Sequence, residues 1–146
     1  MSNIIIRDDA VQPYPPFGID MPQLRGSILL VEDENFVREV TAEILITAGY
    51  SVLTARSAVE AVREFRQHKG EVELLVADVV LPGKNGRDMA KELMKEDPNL
   101  KTLFISGYPE NVVDRNQDFS RNTVYLSKPF SLGSLMQKIR DVIAPS

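Results

Sequence analysis

Residues 74–83 read LLVADVVLPG and place one carboxylate, Asp78, between two runs of apolar residues. An unbroken apolar run is expected for a strand of a parallel sheet, because helices cover both of its faces. A carboxylate within such a stretch is costly to bury unless it is paired or has a chemical role. The stretch therefore predicts a central strand that ends at a functional acid, followed by a loop with Pro82, Gly83 and Gly86.

Outward from this stretch, apolar runs of strand length alternate with segments of helical periodicity. The predicted strands cover residues 28–31, 51–55, 72–77, 102–105 and 123–126. Strands that alternate with helices indicate right-handed crossovers and a parallel sheet with helices on both faces. The predicted fold class is therefore α/β, a three-layer αβα sandwich around a five-stranded parallel sheet.

The segments between the strands carry apolar residues at helical spacing. Gly49 predicts the end of the first helix, and Ser57 predicts the N-cap of the second. Residues 108–122 predict a short, weakly amphipathic helix and a polar loop. The first two helices carry Phe36, Val37, Val40, Ile44 and Leu45, and Val59, Val62 and Phe65. We expect the third and the last helix to bury Met89, Ala90, Leu93 and Met94, and Leu132, Leu135, Met136, Ile139, Val142 and Ile143.

The composition excludes several classes of function. The chain has 146 residues, enough for one domain with a full core. It has no cysteine and one histidine, which excludes disulfides, cysteine nucleophiles and multi-histidine zinc sites. The formal charge of −4 argues against sequence-independent nucleic-acid binding. No apolar run approaches the ~20 residues of a membrane span. A reducing, cytoplasmic setting is the simplest interpretation.

Residues 1–26 differ from the rest of the chain and predict a linker or extension. They hold four prolines and favour extended backbone. The three isoleucines at positions 4–6 leave open an added strand at a sheet edge. The predicted domain spans residues 27–144. No second domain follows it in this sequence, so we expect either a stand-alone domain or a piece of a larger protein.

Polar side chains follow four of the predicted strands at their carboxyl ends. Glu32 and Asp33 follow the first strand, Asp78 the third, Ser106 the fourth and Lys128 the fifth. Because these ends share one edge of a parallel sheet, where ligands bind, we expect a single cleft. Three carboxylates, a hydroxyl and an ammonium suit a divalent cation and a phosphoryl group.

The three carboxylates Glu32, Asp33 and Asp78 predict a metal site. Crowded carboxylates repel each other unless a cation neutralises them, and Mg²⁺ takes oxygen ligands with waters in the remaining positions. The alternative for residues 32–34 is a solvated acidic turn at a helix N-terminus, where negative charge suits the helix dipole. That alternative leaves Asp78 unexplained.

Asp78 is the candidate nucleophile, because a carboxylate can attack phosphorus and hold the phosphoryl group as an acyl phosphate. Lys128 is long enough to act as its counter-ion and then as a phosphoryl ligand. The Ser106 hydroxyl and the Gly107 N–H can donate to phosphoryl oxygens. The alternatives are a structural Asp78–Lys128 pair, a surface lysine, and a serine that forms a cap or an ST-turn. Sequence leaves open whether the peptide before Pro129 is cis.

Together, these motifs resemble the receiver domain of two-component response regulators, from Ser27 to about Ala144. The matching stretches read LVEDE at 30–34, ADVVLPG at 77–83, ISGY at 105–108 and SKPF at 127–130. The resemblance implies a flavodoxin-like fold with strand order 2-1-3-4-5. In such a sheet the cleft lies where the strand order reverses.

The resemblance also implies roles at the site. Asp78 corresponds to the phosphoacceptor, Asp33 to a direct Mg²⁺ ligand, and Glu32 to its partner acting through water. The Val80 carbonyl would supply a backbone ligand to the metal. Lys128 corresponds to the lysine that binds the phosphoryl group.

The function that the resemblance implies is a phosphorylation-controlled switch. A histidine kinase or a histidine phosphotransfer protein would phosphorylate Asp78, and Ser106 and Tyr125 would respond as the switch pair. The face built from the fourth helix, the fifth strand and the last helix would be read by a partner or, in a homodimer, by a second copy. Such a domain catalyses its own phosphorylation without being a conventional enzyme. Residues 1–26 and the loop after the fourth strand, residues 106–109, are similar to those of the receiver at the C-terminus of a hybrid histidine kinase.

Val80 and Tyr108 bear on the lifetime of the phosphoryl group. They stand two residues after Asp78 and two after Ser106. An apolar Val80 cannot position an attacking water by hydrogen bonding, and Tyr108 is placed to shield the group. We therefore expect slow self-dephosphorylation.

Three other functions compete with this interpretation. A protein–protein docking module would keep the fold without phosphorylation. A phosphatase with an aspartate nucleophile would need a second acid where Val80 stands. Nucleotide or flavin binding would need a glycine-rich phosphate loop after the first strand, and the sequence has none there.

Overall fold

The apolar runs of the sequence form five strands, and helices fill the segments between them. The computed structural model describes residues 21–107 and 122–144. The strands are β1 Ser27–Val31, β2 Val52–Ala55, β3 Val72–Asp78, β4 Lys101–Ser106 and β5 Thr123–Ser127. The helices in these described ranges are α1 Asn35–Thr47, α2 Ala58–Gln67, α3 Gly86–Glu96 and α4 Leu132–Ile143. The short helix predicted within residues 108–122 falls almost entirely outside the described residues.

The sheet is parallel throughout and has the order β2-β1-β3-β4-β5, which confirms the predicted fold class and strand order. Its register aligns Val31 with Ala77, and Asp78 with Ile105. Ser106 in turn aligns with Ser127. The carboxyl ends of four strands therefore lie along one edge, as the sequence predicts.

The core has two layers, one on each face of the sheet. Helices α2 and α3 cover one face, with Phe65, Met89 and Phe104 among its buried side chains. Helices α1 and α4 cover the other, where Leu45 and Met136 are buried. Consecutive strand residues point to opposite faces, so the continuous apolar runs supply both layers.

Some apolar residues of the helices face outward. Phe36 is 75% exposed and Val59 is 67% exposed, because small residues such as Ala42, Ala58 and Ala61 take the buried positions. The predicted burial of Leu132 is wrong, since this residue is 42% exposed at the start of α4. The remaining residues predicted for the cores of α3 and α4 are buried or partly buried.

Three of the four described helices begin at a residue whose side chain caps the helix. Ser57 accepts a hydrogen bond from the Glu60 N–H, and Asn85 accepts one from Asp88. Ser131 accepts one from Ser134 and forms a capping box. Each cap satisfies a backbone donor that has no partner within its own helix.

The segment before β1 contacts the domain. Met21 and Leu24 pack against the layer under α1 and α4. The Tyr50 hydroxyl donates to the Pro22 carbonyl over 2.6 Å, and the Gly26 N–H donates to Glu73 Oε1 over 2.8 Å. The rest of the predicted linker, residues 1–20, lies outside the described residues. Within the described ranges, no helix has the length and hydrophobicity needed to span a bilayer.

Candidate functional site

Asp78 is the last residue of β3 and is 6% exposed. Its Oδ1 accepts a hydrogen bond from the Val80 N–H over 3.0 Å. Its Oδ2 lies 2.6 Å from the Lys128 ammonium. A buried carboxylate needs such partners, because burial without them costs several kcal/mol.

Lys128 follows β5 and reaches across β4 to the carboxylates. Its backbone N–H donates to the Ser106 carbonyl over 2.8 Å, and the Lys128–Pro129 peptide is cis. Its ammonium also lies 3.5 Å from Glu32 Oε1. Burial lowers the pKa of Lys128, but the hydrogen bond and charge of Asp78, with the charge of Glu32, outweigh burial and leave it raised. The ammonium therefore stays protonated at neutral pH.

Glu32 and Asp33 leave β1 in different environments. Glu32 is buried, and its Oε2 accepts a hydrogen bond from the Glu34 N–H over 3.0 Å. Burial is the largest cause of its raised pKa, and the charges of Asp78 and Asp33 add to it. The Glu34 N–H and Lys128 oppose that shift. Asp33, by contrast, is exposed.

The three carboxylates meet as the sequence predicts. One oxygen from each of Glu32, Asp33 and Asp78 lies within 4.8 Å of the other two. Carboxylate oxygens are the ligands that Mg²⁺ prefers, and one exposed member gives a cation access. The donor set therefore fits a hard divalent cation that keeps several waters.

The loop after Asp78 is held close to the strand by Gly86. The Gly86 N–H donates to the Val79 carbonyl over 2.7 Å. A Cβ on Gly86 would lie 2.1 Å from the Asp78 carbonyl oxygen, so only glycine fits there. Sequence reasoning missed this contact, although the Asn-Gly pair before a helical segment was its signal. The Val80 side chain in this loop is 64% exposed.

Ser106 and Tyr125 share one face of the sheet. Ser106 ends β4 and is 1% exposed. The Tyr125 ring stacks on Phe104, which stands two residues before Ser106, with centroids 5.5 Å apart and planes at 27°. Side chains two residues apart on a strand point to the same face. Gly107 is exposed, and Tyr108 lies outside the described residues.

Comparison with known proteins identifies the family. The family model for the response regulator receiver domain matches residues 28–140. The chain belongs to this family. The sensor kinase CckA of Brucella abortus is 38% identical over 118 residues, which are 81% of this chain and 12% of that protein. The receiver protein CpdR of the same organism is 32% identical over 80% of this chain and 95% of its own length. The chain thus spans about an eighth of one relative and nearly all of the other.

Solved receiver structures have the same fold. The receiver domain of the hybrid histidine kinase CckA superposes with a TM-score of 0.68 at 31% identity, over 81% of this chain and 99% of that one. The response regulator TrrA of Thermotoga maritima, in complex with Mg²⁺ and BeF, gives a TM-score of 0.66 at 28% identity, over 80% and 98%. This receiver is therefore a domain of two-component signalling, a class that works with histidine kinases or phosphotransfer proteins.

Proposed function

We propose that this receiver is a phosphoacceptor switch in which Asp78 takes a phosphoryl group from phosphohistidine in a Mg²⁺-dependent reaction. The observation that supports this most strongly is the placement of Asp78. It is buried beside the Lys128 ammonium, 2.6 Å away, and grouped with the carboxylates of Glu32 and Asp33. A purely structural pair would not need two further acids at the same strand edge.

The reaction is a substitution at phosphorus. A carboxylate oxygen of Asp78 forms the new P–O bond while the P–N bond to the donor imidazole breaks, and the released imidazole nitrogen takes up a proton. The product is an acyl phosphate on Asp78. A bound Mg²⁺ neutralises charge on the transferred group and helps to align it.

The residues proposed to hold the metal are Asp33 and Asp78 directly, the Val80 carbonyl, and Glu32 through a water. The burial and hydrogen bonding of Glu32 suit the indirect role, since its Oε2 is already engaged by the Glu34 N–H. The exposure of Asp33 suits a direct ligand that a hydrated ion meets first. The structure of a relative, TrrA, is a complex with Mg²⁺ and BeF, which supports Mg²⁺ as the ion proposed here.

Lys128 changes partner in this proposal. Its ammonium pairs with Asp78 Oδ2 before the reaction and binds a phosphoryl oxygen afterwards. Ser106 and the Gly107 N–H supply further donors to the phosphoryl group. The ring of Tyr125 responds to Ser106, because both side chains lie on the same face of the sheet. The face that includes β5 and α4 then transmits the signal by binding a partner protein or a second copy of the domain.

The phosphoryl group is proposed to be long-lived without a partner protein. The apolar side chain of Val80 projects 64% exposed from the loop beside Asp78 and offers no hydrogen bond to an attacking water. A short-lived acyl phosphate in purified protein would contradict this part of the proposal. Tyr108, which we expect to shield the phosphoryl group, lies outside the described residues.

The donor class is tested by phosphotransfer from a panel of phosphorylated histidine kinases and histidine phosphotransfer proteins. The proposal expects the label to move to the wild-type receiver from at least one donor within minutes, and not to Asp78→Asn. Label that never leaves any donor would favour the docking-module alternative. Label that still reaches Asp78→Asn would place the acceptor elsewhere.

A further inference from the structure

Helix α1 begins at the site without the side-chain cap that α2, α3 and α4 have. Its N-cap residue is Glu34, which makes no side-chain capping hydrogen bond, and its first turn contains no acidic residue. Helices α2, α3 and α4 each have a serine or asparagine cap. The turn from β1 into α1, residues 32–34, carries three adjacent carboxylates. It therefore needs another anchor, because like charges on adjacent residues repel.

Arg38 supplies that anchor from the second turn of the helix. Its Nη1 donates to the Glu32 carbonyl over 2.9 Å, and its Nη2 donates to Asn35 Oδ1 over 2.6 Å. The guanidinium thus joins the residue that follows β1 to the first residue of α1. A guanidinium presents its N–H donors in a rigid planar fork and can hold two acceptors in a fixed geometry, whereas an ammonium sits on a flexible stem and its donors rotate.

Within residues 21–107 and 122–144, the charge of Arg38 is not used in an ion pair. Arg38 differs in this from Arg56, Arg66, Lys84 and Lys128, each of which pairs with a carboxylate. Arg38 donates to a carbonyl and an amide oxygen instead of pairing with the carboxylates of the turn. Its contribution is geometric, since it fixes the backbone that carries Glu32 and Asp33.

We propose that Arg38 is a positioning residue for the metal site, holding the turn of residues 32–34 so that Glu32 and Asp33 point at the cation. This inference rests on the proposed Mg²⁺ site. Outer partners that orient metal ligands typically contribute 10- to 100-fold to metal affinity. Arg38 plays this role through the backbone rather than through a ligand side chain.

The positioning role and a simple charge effect predict opposite results. Removing a cation beside an acidic cluster strengthens Mg²⁺ binding by Coulomb's law. Removing the two hydrogen bonds of Arg38 loosens the turn of residues 32–34 and weakens Mg²⁺ binding. The sign of the change in Arg38→Ala therefore separates the two, and no activity measurement is needed.

The test is a Mg²⁺ titration followed by amide NMR shifts near Asp33 and Val80, in wild type, Arg38→Ala, Arg38→Lys and Arg63→Ala. Arg63→Ala is the matched control, because it removes the same charge from an exposed position on α2. We expect Arg38→Ala to raise the Mg²⁺ dissociation constant roughly tenfold. Arg38→Lys should lie between it and wild type, and Arg63→Ala should match wild type.

Unchanged or tighter Mg²⁺ binding in Arg38→Ala would overturn the positioning role. Acetyl phosphate labelling of the same variants separates this failure from failure of the proposed function. If Arg38 positions ligands, Arg38→Ala should be labelled slowly at low Mg²⁺ and near the wild-type rate at saturating Mg²⁺. A wild type that binds Mg²⁺ but is never labelled overturns the proposed function alone, and one that does not bind Mg²⁺ overturns both. Should Arg38→Ala fail to fold, Arg38→Lys carries the comparison.

Discussion

At the scale of single residues, the site depends on how Asp78 is neutralised. Lys128 lies 2.6 Å from one oxygen of Asp78 and 3.5 Å from Glu32, whereas Asp33 remains exposed. Asp78 is therefore buried with a partner that can move onto a phosphoryl group. Both residues were predicted from the sequence, because each ends or follows an apolar run that had to be a strand.

Lys128→Ala should slow phosphorylation of Asp78 by at least about tenfold, or 1.4 kcal/mol in the barrier, because the phosphoryl group loses its ammonium ligand. The measurement is the rate of acyl phosphate formation from acetyl phosphate at saturating Mg²⁺. Lys95→Ala, which removes an exposed lysine of α3, is the control and should keep the wild-type rate. Equal rates for wild type and Lys128→Ala would show that the pair is structural.

At the scale of secondary-structure elements, the loop from β3 to α3 is set by a close backbone contact. Gly86 begins α3 against the Asp78 carbonyl, so the helix cannot move away from the acceptor strand without breaking the Gly86–Val79 hydrogen bond. The same contact places the loop that carries Val80 beside the site. Helix α3 and the acceptor are therefore coupled by geometry.

Gly86→Ala should destabilise the domain by about 1–3 kcal/mol, because its Cβ would meet backbone that has to shift. We also expect slower labelling of Asp78, since the loop would move with the helix. The free energy of unfolding in urea checks the first effect. Gly133→Ala is the control within α4: the nearest atom to its Cβ is 3.9 Å away, so it should be neutral or slightly stabilising. Equal stabilities of the two variants would contradict the account.

The elements also separate what the sequence predicts from what it cannot. Apolar runs and turn residues predicted all five strands, and Ser57 predicted a cap, whereas the strand order came from the resemblance to receiver domains. Helical spacing did not reveal which apolar stripe faces the sheet. On α1 and α2, alanines allow close packing and leave Phe36 and Val59 outside. Arg38 escaped notice because its contacts are with a backbone carbonyl and a side-chain amide, for which the sequence has no periodic signal.

At the scale of the whole molecule, Tyr50 links the segment before β1 to the core layer under α1 and α4. It is buried and donates to the Pro22 carbonyl over 2.6 Å. Burial raises its pKa to about 12, with Arg140 opposing the shift. Met21 and Leu24 pack against the same layer. We therefore expect residues 21–26 to contribute to the stability of the domain.

The ionisation of Tyr50 should lower stability at high pH. Because its folded pKa exceeds the unfolded value of 10.0, its contribution is complete below pH 10 and is lost as pH rises toward about 12, by roughly 3 kcal/mol. The difference in ultraviolet phenolate absorbance between wild type and Tyr50→Phe isolates this group. A difference titration centred near pH 10 would show that burial does not raise the pKa of Tyr50.

Truncation tests the domain boundary proposed at residues 26 and 27. A chain that starts at residue 27 loses the contacts of Met21, Pro22, Leu24 and Gly26, whereas one that starts at residue 21 keeps them. The shorter chain should be about 1–3 kcal/mol less stable than the longer one in urea unfolding. Equal stability would place the boundary of the folding unit at residue 27.

The most direct test of the central claim is the intact mass of the protein after incubation with acetyl phosphate, with and without Mg²⁺. The account predicts a gain of one HPO₃ group that requires Mg²⁺ and is absent from Asp78→Asn. A folded protein that gains no mass with Mg²⁺, or an Asp78→Asn variant that gains the same mass, would contradict it.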